Sequence, residues 1–285
     1  MKILYSNEAN FKDEFRALVD RSNIDMQSVM PIVNGIINDI KERGDAALNE
    51  QIAKFDKWEV NGNLAITTDE MKAAYDNLDD KLRNALKLAY ERVKAYHEKQ
   101  VEKSWIDFEP SGAILGQKVT PVDRAGLYIP GGKAAYPSSL IMNAVPAIVA
   151  GVKEIVVCTP AVGGEVNSLL LAAMHLLGIK TAYKVGGASA VAAMAYGTQT
   201  IKKVDVITGP GNIFVATAKK MVYGDVNIDM IAGPSEIGVI ADESANPTHI
   251  AIDLLSQAEH DEIASSFLIT FSAEFANKVN DEIQR

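Results

Sequence analysis

Gly126-Leu127-Tyr128-Ile129-Pro130-Gly131-Gly132 is the stretch that decides the fold. It is typical of a short apolar strand, predicted over 126–129, that runs into a glycine turn. The same order of strand, glycine turn and helix recurs three more times. The other predicted strands cover 154–159, 181–185 and 205–208, and the helices begin near Ser138, Asn167, Ala188 and Ile213. This alternation predicts a parallel sheet wrapped by helices.

Glycines follow each predicted strand. They are Gly131-Gly132, Gly163-Gly164, Gly186-Gly187 and Gly209-Pro210-Gly211. Open α/β sheets bind ligands at the carboxyl ends of their strands, so a cleft is predicted at these turns. None of the turns has the Gly-x-Gly-x-x-Gly pattern of dinucleotide binding. Two interpretations stay open: a ligand approaches this backbone closely, or the glycines serve tight turns that any such sheet needs.

The segments on either side of this region have other patterns. Residues 11–100 show helical periodicity and predict a helical arm, in which Thr67 and Glu70 form a capping box. Residues 105–122 predict a hairpin. Beyond 236, a strand at 237–241, a helix opened by Asn246-Pro247, a strand at 267–269 and a last amphipathic helix follow. Such a run packs only as part of a larger sheet.

Composition excludes several classes of partner. A net charge of -9 and a pI near 5.0 leave no basic stripe, so neither nucleic acid nor an anionic membrane is expected as a partner. The most apolar stretch, 138–152, is too short to span a bilayer, and the N-terminus turns polar before a signal-peptide core forms. The predicted location is the cytoplasm. Cys158, the single cysteine, is predicted to be a buried apolar residue and not a nucleophile.

A second run carries the candidate chemistry: Ile228-Asp229-Met230-Ile231-Ala232-Gly233-Pro234-Ser235-Glu236, followed by Leu254-Leu255-Ser256-Gln257-Ala258-Glu259-His260-Asp261. Gln257 and His260 stand three residues apart on the predicted helix, so both side chains leave the same face. They could hold one ion or one ligand. By spacing alone a solvated helix face is the commoner explanation, because glutamine is a poor zinc ligand.

These two runs together resemble the signature region of histidinol dehydrogenase, and the resemblance extends back through Gly209-Pro210-Gly211-Asn212 and Gly186-Gly187-Ala188 to the stretch that ends at Gly132. The family oxidises L-histidinol to L-histidine through a bound aldehyde with two molecules of NAD, in the last step of histidine biosynthesis. Its members are zinc-dependent homodimers with two Rossmann-like domains. The resemblance therefore implies an α/β fold with two Rossmann-like parallel-sheet domains.

The expected first domain comprises 1–125 plus 236–285; it begins with the helical arm, carries the zinc pair and is left incomplete by the chain end. The expected second domain comprises 126–235 and holds the NAD-side cleft. By the resemblance, the cofactor-binding positions are Tyr128, Ser189 and Asn212. Tyr128 and Asn212 contact NAD, whereas Ser189 takes the place of a glutamine that in many members reaches the cofactor and is too short for the same contact. Ser235, Gln257 and His260 contact substrate, and the last two are also zinc ligands.

The family's general base, an adjacent Glu-His pair, and its other two zinc ligands are expected beyond Arg285. No catalytic residue is therefore assigned within this chain. Zinc sites need at least three protein ligands, so the polypeptide alone is expected to be inactive. Two alternatives stay open: a related zinc and NAD dehydrogenase of another small diol or amino alcohol, and a non-catalytic fragment of the family.

Overall fold

The computed structural model describes residues 2–20, 26–131, 136–231, 233, 235–259 and 264–285. The chain divides into two compact units. The small unit comprises Met1–Ile24 and Ala232–Arg285, and the large unit comprises Asp25–Ile231. Among the described residues, no helix has both the length and the apolar character that a membrane crossing requires.

The order of elements alternates strands and helices after a helical start. The helices are α1 (Phe11–Asp20), α2 (Met26–Arg43), α3 (Asp45–Phe55), α4 (Thr68–Asp76), α5 (Asp80–His97), α6 (Pro137–Ala150), α7 (Ser168–Leu176), α8 (Gly187–Tyr196), α9 (Ile213–Val222), α10 (Pro247–Ala258) and α11 (Ala273–Ile283). The strands are β1 (Trp105–Phe108), β2 (Ile114–Gln117), β3 (Arg124–Tyr128), β4 (Glu154–Thr159), β5 (Thr181–Lys184), β6 (Val206–Thr208), β7 (Asn227–Ile228), β8 (Glu236–Ile240) and β9 (Ser265–Ile269).

A five-stranded parallel sheet forms the centre of the large unit, in the order β5-β4-β3-β6-β7. The four strands predicted from the glycine turns are present, with ends that differ from the prediction by at most two residues. The predicted fold class, an α/β protein with a parallel sheet and a helical N-terminal region, is confirmed.

Each face of this sheet is covered by helices, because strand side chains alternate between two cores. Val156 and Cys158 face a core built with α2, α3, α8 and α9. Leu127 and Val157 face the opposite core, built with α4, α5, α6 and α7. Strands buried on both faces are almost continuously apolar, which explains the sequence Ile155-Val156-Val157-Cys158 in β4.

The segment between α3 and α4 protects one edge of the sheet. The backbone N–H of Ile66 donates to the carbonyl of Ala182 at 2.8 Å, and the N–H of Lys184 donates to the carbonyl of Leu64 at 2.9 Å. These bonds cover the polar edge of β5, which would otherwise be open to another chain. The predicted capping box of Thr67 and Glu70 is confirmed at the start of α4.

The predicted hairpin forms from β1 and β2 and is exposed along its length. The side chains of Ile106, Phe108 and Ile114 share one face because Phe108 pairs with Ile114 and residues two apart on a strand point the same way. All three are more than half exposed. A two-stranded hairpin is marginally stable by itself. An exposed apolar face such as this one is typical of an interaction surface.

In the small unit, β8 and β9 form a parallel pair joined through α10, and α11 follows. The Asn246 side chain accepts the N–H of Thr248 at 2.9 Å and Pro247 takes the first helical position, as predicted. Leu254, Phe275 and Val279 form the core of this unit.

The division into compact units differs from the expected domains, since residues 26–125 belong with the large sheet. Val33, Ile37 and Leu48 from the helical arm are buried in the same core as α8 and α9. The apolar faces of the arm helices are buried because they pack in one core with α8 and α9. The sequence pattern shows that these faces are apolar but not which sheet and helices they pack against. The expected domain boundaries, 1–125 plus 236–285 and 126–235, stay a prediction.

We expect Leu127→Ala to lower the free energy of unfolding of the large unit by about 2 to 5 kcal/mol, because the side chain is fully buried in the central strand. Urea unfolding followed by circular dichroism measures this. Leu115→Ala, a matched change in the exposed hairpin, is expected to cost less than about 1 kcal/mol. Equal losses in the two variants would contradict the assignment of the core.

Candidate functional site

The strand order of the large sheet reverses between β3 and β6. The chain runs outward from β3 through β4 and β5, then continues on the other side through β6 and β7. β3 and β6 are paired neighbours, with Leu127 opposite Thr208. Open α/β sheets bind ligands outside the carboxyl ends of the strands at such a switch point. Tyr128 ends β3 and the turn 209–212 follows β6, so both lie at this edge, which we call the switch-point edge.

The glycines at this edge mostly serve close packing. A Cβ on Gly186 would lie 2.5 Å from Cβ of Pro160, and one on Gly131 would lie 2.9 Å from Cγ of Pro160. A Cβ on Gly209 would overlap the carbonyl oxygen of Tyr128, and its φ is +122°. Gly187 differs, because its φ of +62° demands glycine while the space above it is open. Of the two interpretations of the sequence, tight packing holds for Gly131, Gly186 and Gly209, and Gly187 leaves room for a ligand.

Tyr128 is buried at the end of β3. Its hydroxyl oxygen accepts the backbone N–H of Gly187 at 3.2 Å, which ties β3 to the start of α8. Burial raises the pKa of Tyr128 to about 12, so the phenol is protonated at neutral pH. The protonated hydroxyl can still donate a hydrogen bond while it accepts one.

Asp56 lies beside Tyr128 and comes from the end of α3. Its carboxylate accepts the backbone N–H of Gly186, and burial raises its pKa. The first two amides of the α8 start, those of Gly186 and Gly187, are therefore occupied by Asp56 and Tyr128. Sequence reasoning missed Asp56, because 130 residues separate it from Gly186 and no local pattern marks the contact.

Asn212 is exposed and caps the N-terminus of α9. Its side-chain oxygen accepts the N–H groups of Phe214 at 3.1 Å and Val215 at 3.2 Å. The oxygen is used within the helix, so the amide nitrogen is the group through which Asn212 can donate to a ligand.

Ser189, the third predicted cofactor residue, is buried on α8. Its hydroxyl donates to Oε1 of Gln51 at 2.7 Å, and Nε2 of Gln51 donates to Asp39 at 3.0 Å. The hydroxyl thus joins α8 to α3 in the interior. The hydroxyl has one hydrogen, and because Gln51 accepts it, Ser189 has no hydrogen-bond donor left for a cofactor. Its side chain is also shorter than the glutamine it replaces.

An ion pair between a buried lysine and a partly exposed aspartate braces the turn after β6, and sequence reasoning missed it. Nζ of Lys219 forms an ion pair with Asp229 and donates to the carbonyl of Gly209 at 2.9 Å. The other carboxylate oxygen of Asp229 accepts the N–H of Gly209 at 2.8 Å. Asp229 stands in the signature run, but nothing in that run predicts Lys219 as its partner.

Two buried hydroxyls mark the same edge. Thr159 ends β4 and Thr208 ends β6, and Oγ1 of each has no hydrogen-bond partner among the described residues. Unpaired buried hydroxyls are costly, so they are typical of places where a ligand or water supplies the partner. Cys158, one residue before Thr159, is fully buried, and burial raises the pKa of its thiol. The expected apolar role of Cys158 is confirmed.

The predicted substrate and zinc residues belong to the small unit. Ser235 is exposed just before β8, where its carbonyl accepts the N–H of Ser265 at 3.1 Å. Gln257 is half-buried in the last turn of α10. His260 lies outside the described residues. In the part of the chain that the structure describes, no three His, Cys, Asp or Glu side chains form a group that could hold a metal ion.

Comparison with known proteins identifies one family. The family model described as histidinol dehydrogenase matches residues 19–285. The chain is 64% identical to the histidinol dehydrogenase of Sulfurimonas denitrificans over 281 residues, which cover 98% of this chain and 65% of that protein. It is 62% identical to that of Wolinella succinogenes over 287 residues, which cover 100% of this chain and 66% of that protein. The chain therefore spans about two thirds of the length of these curated relatives.

A solved structure agrees with the sequence matches. The crystal structure of histidinol dehydrogenase from Elizabethkingia anophelis matches with a TM-score of 0.84 and 38% sequence identity. The match covers 90% of this chain and 59% of that one.

Stability should depend on pH through Tyr128. Between its unfolded pKa, about 10, and its folded pKa, about 12, only the unfolded chain ionises this phenol, so stability falls as pH rises through that window. Between about pH 9 and about pH 11, we expect the free energy of unfolding of Tyr128→Phe to fall by about 1 kcal/mol less than that of the unmodified chain. Urea unfolding measures both. Tyr223→Phe, at an exposed site, should lose as much as the unmodified chain. The same loss in Tyr128→Phe would contradict the burial of the phenol.

Proposed function

The chain belongs to the histidinol dehydrogenase family, and on that premise we propose that it serves in the oxidation of L-histidinol to L-histidine, through L-histidinal, with two molecules of NAD and a zinc ion. The observation that carries the proposal is the switch-point edge, where Tyr128 ends β3 and Asn212 follows the neighbouring strand β6. Open α/β sheets hold nucleotide cofactors in this position.

The residues of this edge fit NAD. The buried hydroxyls of Thr159 and Thr208, which have no hydrogen-bond partner in the described part of the chain, supply polar groups, and the open space at Gly187 supplies room. The amide nitrogen of Asn212 adds a donor, and the start of α9 adds a positive helix end, which favours an anionic cofactor. NAD, when bound, accepts the hydride from the carbon that is oxidised; Tyr128 and Asn212 would orient it. Ser189 would support α8 from the interior through Gln51.

In the small unit, Ser235, Gln257 and His260 would contact substrate, and Gln257 and His260 would be zinc ligands. Gln257 is the one zinc candidate within the described residues, and alone it fits no metal site, so we assign no step to zinc. The family's general base has no assigned counterpart here. We also propose a homodimer, as in the family, and the exposed apolar hairpin face of Ile106, Phe108 and Ile114 supports it. The cytoplasm stays the predicted location.

Asn212→Ser should weaken NAD binding about threefold to tenfold, because serine keeps the helix cap but loses the amide donor. Isothermal titration calorimetry with NAD on the 285-residue chain measures this. Asn246→Ser, which makes the same change at the cap of α10, is the control and should bind like the unmodified chain. Equal affinities in both variants would remove Asn212 from the cofactor site.

We expect the chain alone to give no turnover of L-histidinol with NAD beyond a zinc-free control, since two protein ligands do not make a stable zinc site. The assay is NADH absorbance, run beside zinc calorimetry with and without L-histidinol. Turnover, or tight zinc binding, that Gln257→Ala with His260→Ala abolishes would refute the expectation. His249→Ala, an exposed histidine on α10, is the matched control.

A further inference from the structure

Lys219 is the one charged residue that is fully buried among the described residues, at 2% exposure. It lies on α9 two turns after Asn212, and helix side chains lean toward the N-terminus, so its ammonium reaches back to the turn before the helix. Neither Lys219 nor its partner Asp229 has a role in the cofactor contacts of the proposed function.

The pair satisfies both backbone polar groups of Gly209. The carbonyl of Gly209 accepts from Lys219, and its N–H donates to Asp229, whose carboxylate also accepts the N–H of Met230 at 2.6 Å. Gly209 also packs against the Tyr128 carbonyl with a φ that other residues rarely adopt. The orientation of this peptide is thus set by two side chains from outside the turn.

Burying the Lys219 ammonium is a costly way to stabilise a fold even with Asp229, whose side chain is 30% exposed, as its partner. Apolar residues in the place of a buried charge are often as stable or more so. The pair instead fixes an orientation, because its charged hydrogen bonds hold the Gly209 peptide in one position. Asn212 follows three residues later, so the position of this peptide also sets the start of the segment that carries Asn212. Because the pair is neutral overall, it braces the turn without adding net charge beside the ligand.

We propose that Lys219 and Asp229 are positioning residues, which hold the turn 209–212 so that Asn212 meets the dinucleotide at the switch-point edge. This inference rests on the proposed function for its ligand. The geometry of the clamp itself does not depend on it.

The test compares the 285-residue chain with Lys219→Met plus Asp229→Asn. Removing both charges avoids leaving one of them buried and unpaired. Asp205→Asn is the matched control, because Asp205 accepts the N–H of Arg124 at 2.8 Å just before β6, at the opposite end of that strand. Each protein is measured by urea unfolding, by amide hydrogen exchange over 209–215, and by calorimetry with NAD.

We expect the double variant to unfold near the midpoint of the unmodified chain, to exchange faster over 209–215 but not over α2 and α3, and to bind NAD about threefold to tenfold more weakly. Asp205→Asn should change neither local exchange nor NAD affinity. Unchanged exchange over 209–215, uniformly faster exchange through the large unit, or unchanged NAD affinity despite local loosening would each overturn the positioning role.

Should the double variant fail to fold, Lys219→Met alone, which leaves only the partly exposed Asp229 without its partner, is measured in the same way and decides by the same outcomes. If the unmodified chain itself does not bind NAD, the proposed cofactor site fails in this chain. Exchange then decides the clamp alone: faster exchange confined to 209–215 upholds it, and unchanged exchange overturns it.

Discussion

The large unit depends on the pairing of β3 with β4 on one side and with β6 on the other. This central strand is buried on both faces, so its side chains join the two cores that helices from the arm and from the sheet complete. The same pairing creates the switch point, because the chain leaves β3 in one direction and returns beside it at β6. One arrangement of hydrogen bonds therefore sets both the core and the place where a ligand can bind.

Around this edge the backbone is held by side chains from other elements of the fold. Asp56 and Tyr128 occupy the first amides of α8, and Lys219 with Asp229 holds the peptide of Gly209. A buried polar group without a hydrogen-bond partner destabilises the fold, so each of these contacts favours one conformation of its turn. The backbone of these turns at the proposed cofactor site is thus oriented by hydrogen bonds from these side chains.

The exposed surface has a different character. The hairpin of β1 and β2 presents Ile106, Phe108 and Ile114 to solvent, and Ile240 and Phe271 of the small unit are also exposed. Apolar patches of this kind are uncommon on isolated globular domains and are typical of surfaces that meet other protein. The relatives are about half as long again as this chain. The solvent exposure of these side chains is therefore their exposure in the 285-residue chain.

The sequence by itself determined the α/β class, the four strand and glycine-turn units, the caps at Thr67 and Asn246 and the burial of Cys158. These follow from periodicity and from short-range hydrogen bonding, which a local pattern records. It also determined the family, through runs such as the one that contains Gln257. The tertiary structure alone decided the strand order, the packing of α2 and α3 on the large sheet, the interior contact of Ser189 with Gln51, and the roles of Asp56 and Lys219. The contacts of Ser189 with Gln51 and of Asp56 with Gly186 cross more than a hundred residues, and such contacts leave no periodic trace in the chain. Lys219 lies only ten residues from Gly209 and from Asp229, but which of its neighbours it meets is decided by the fold and not by a local propensity.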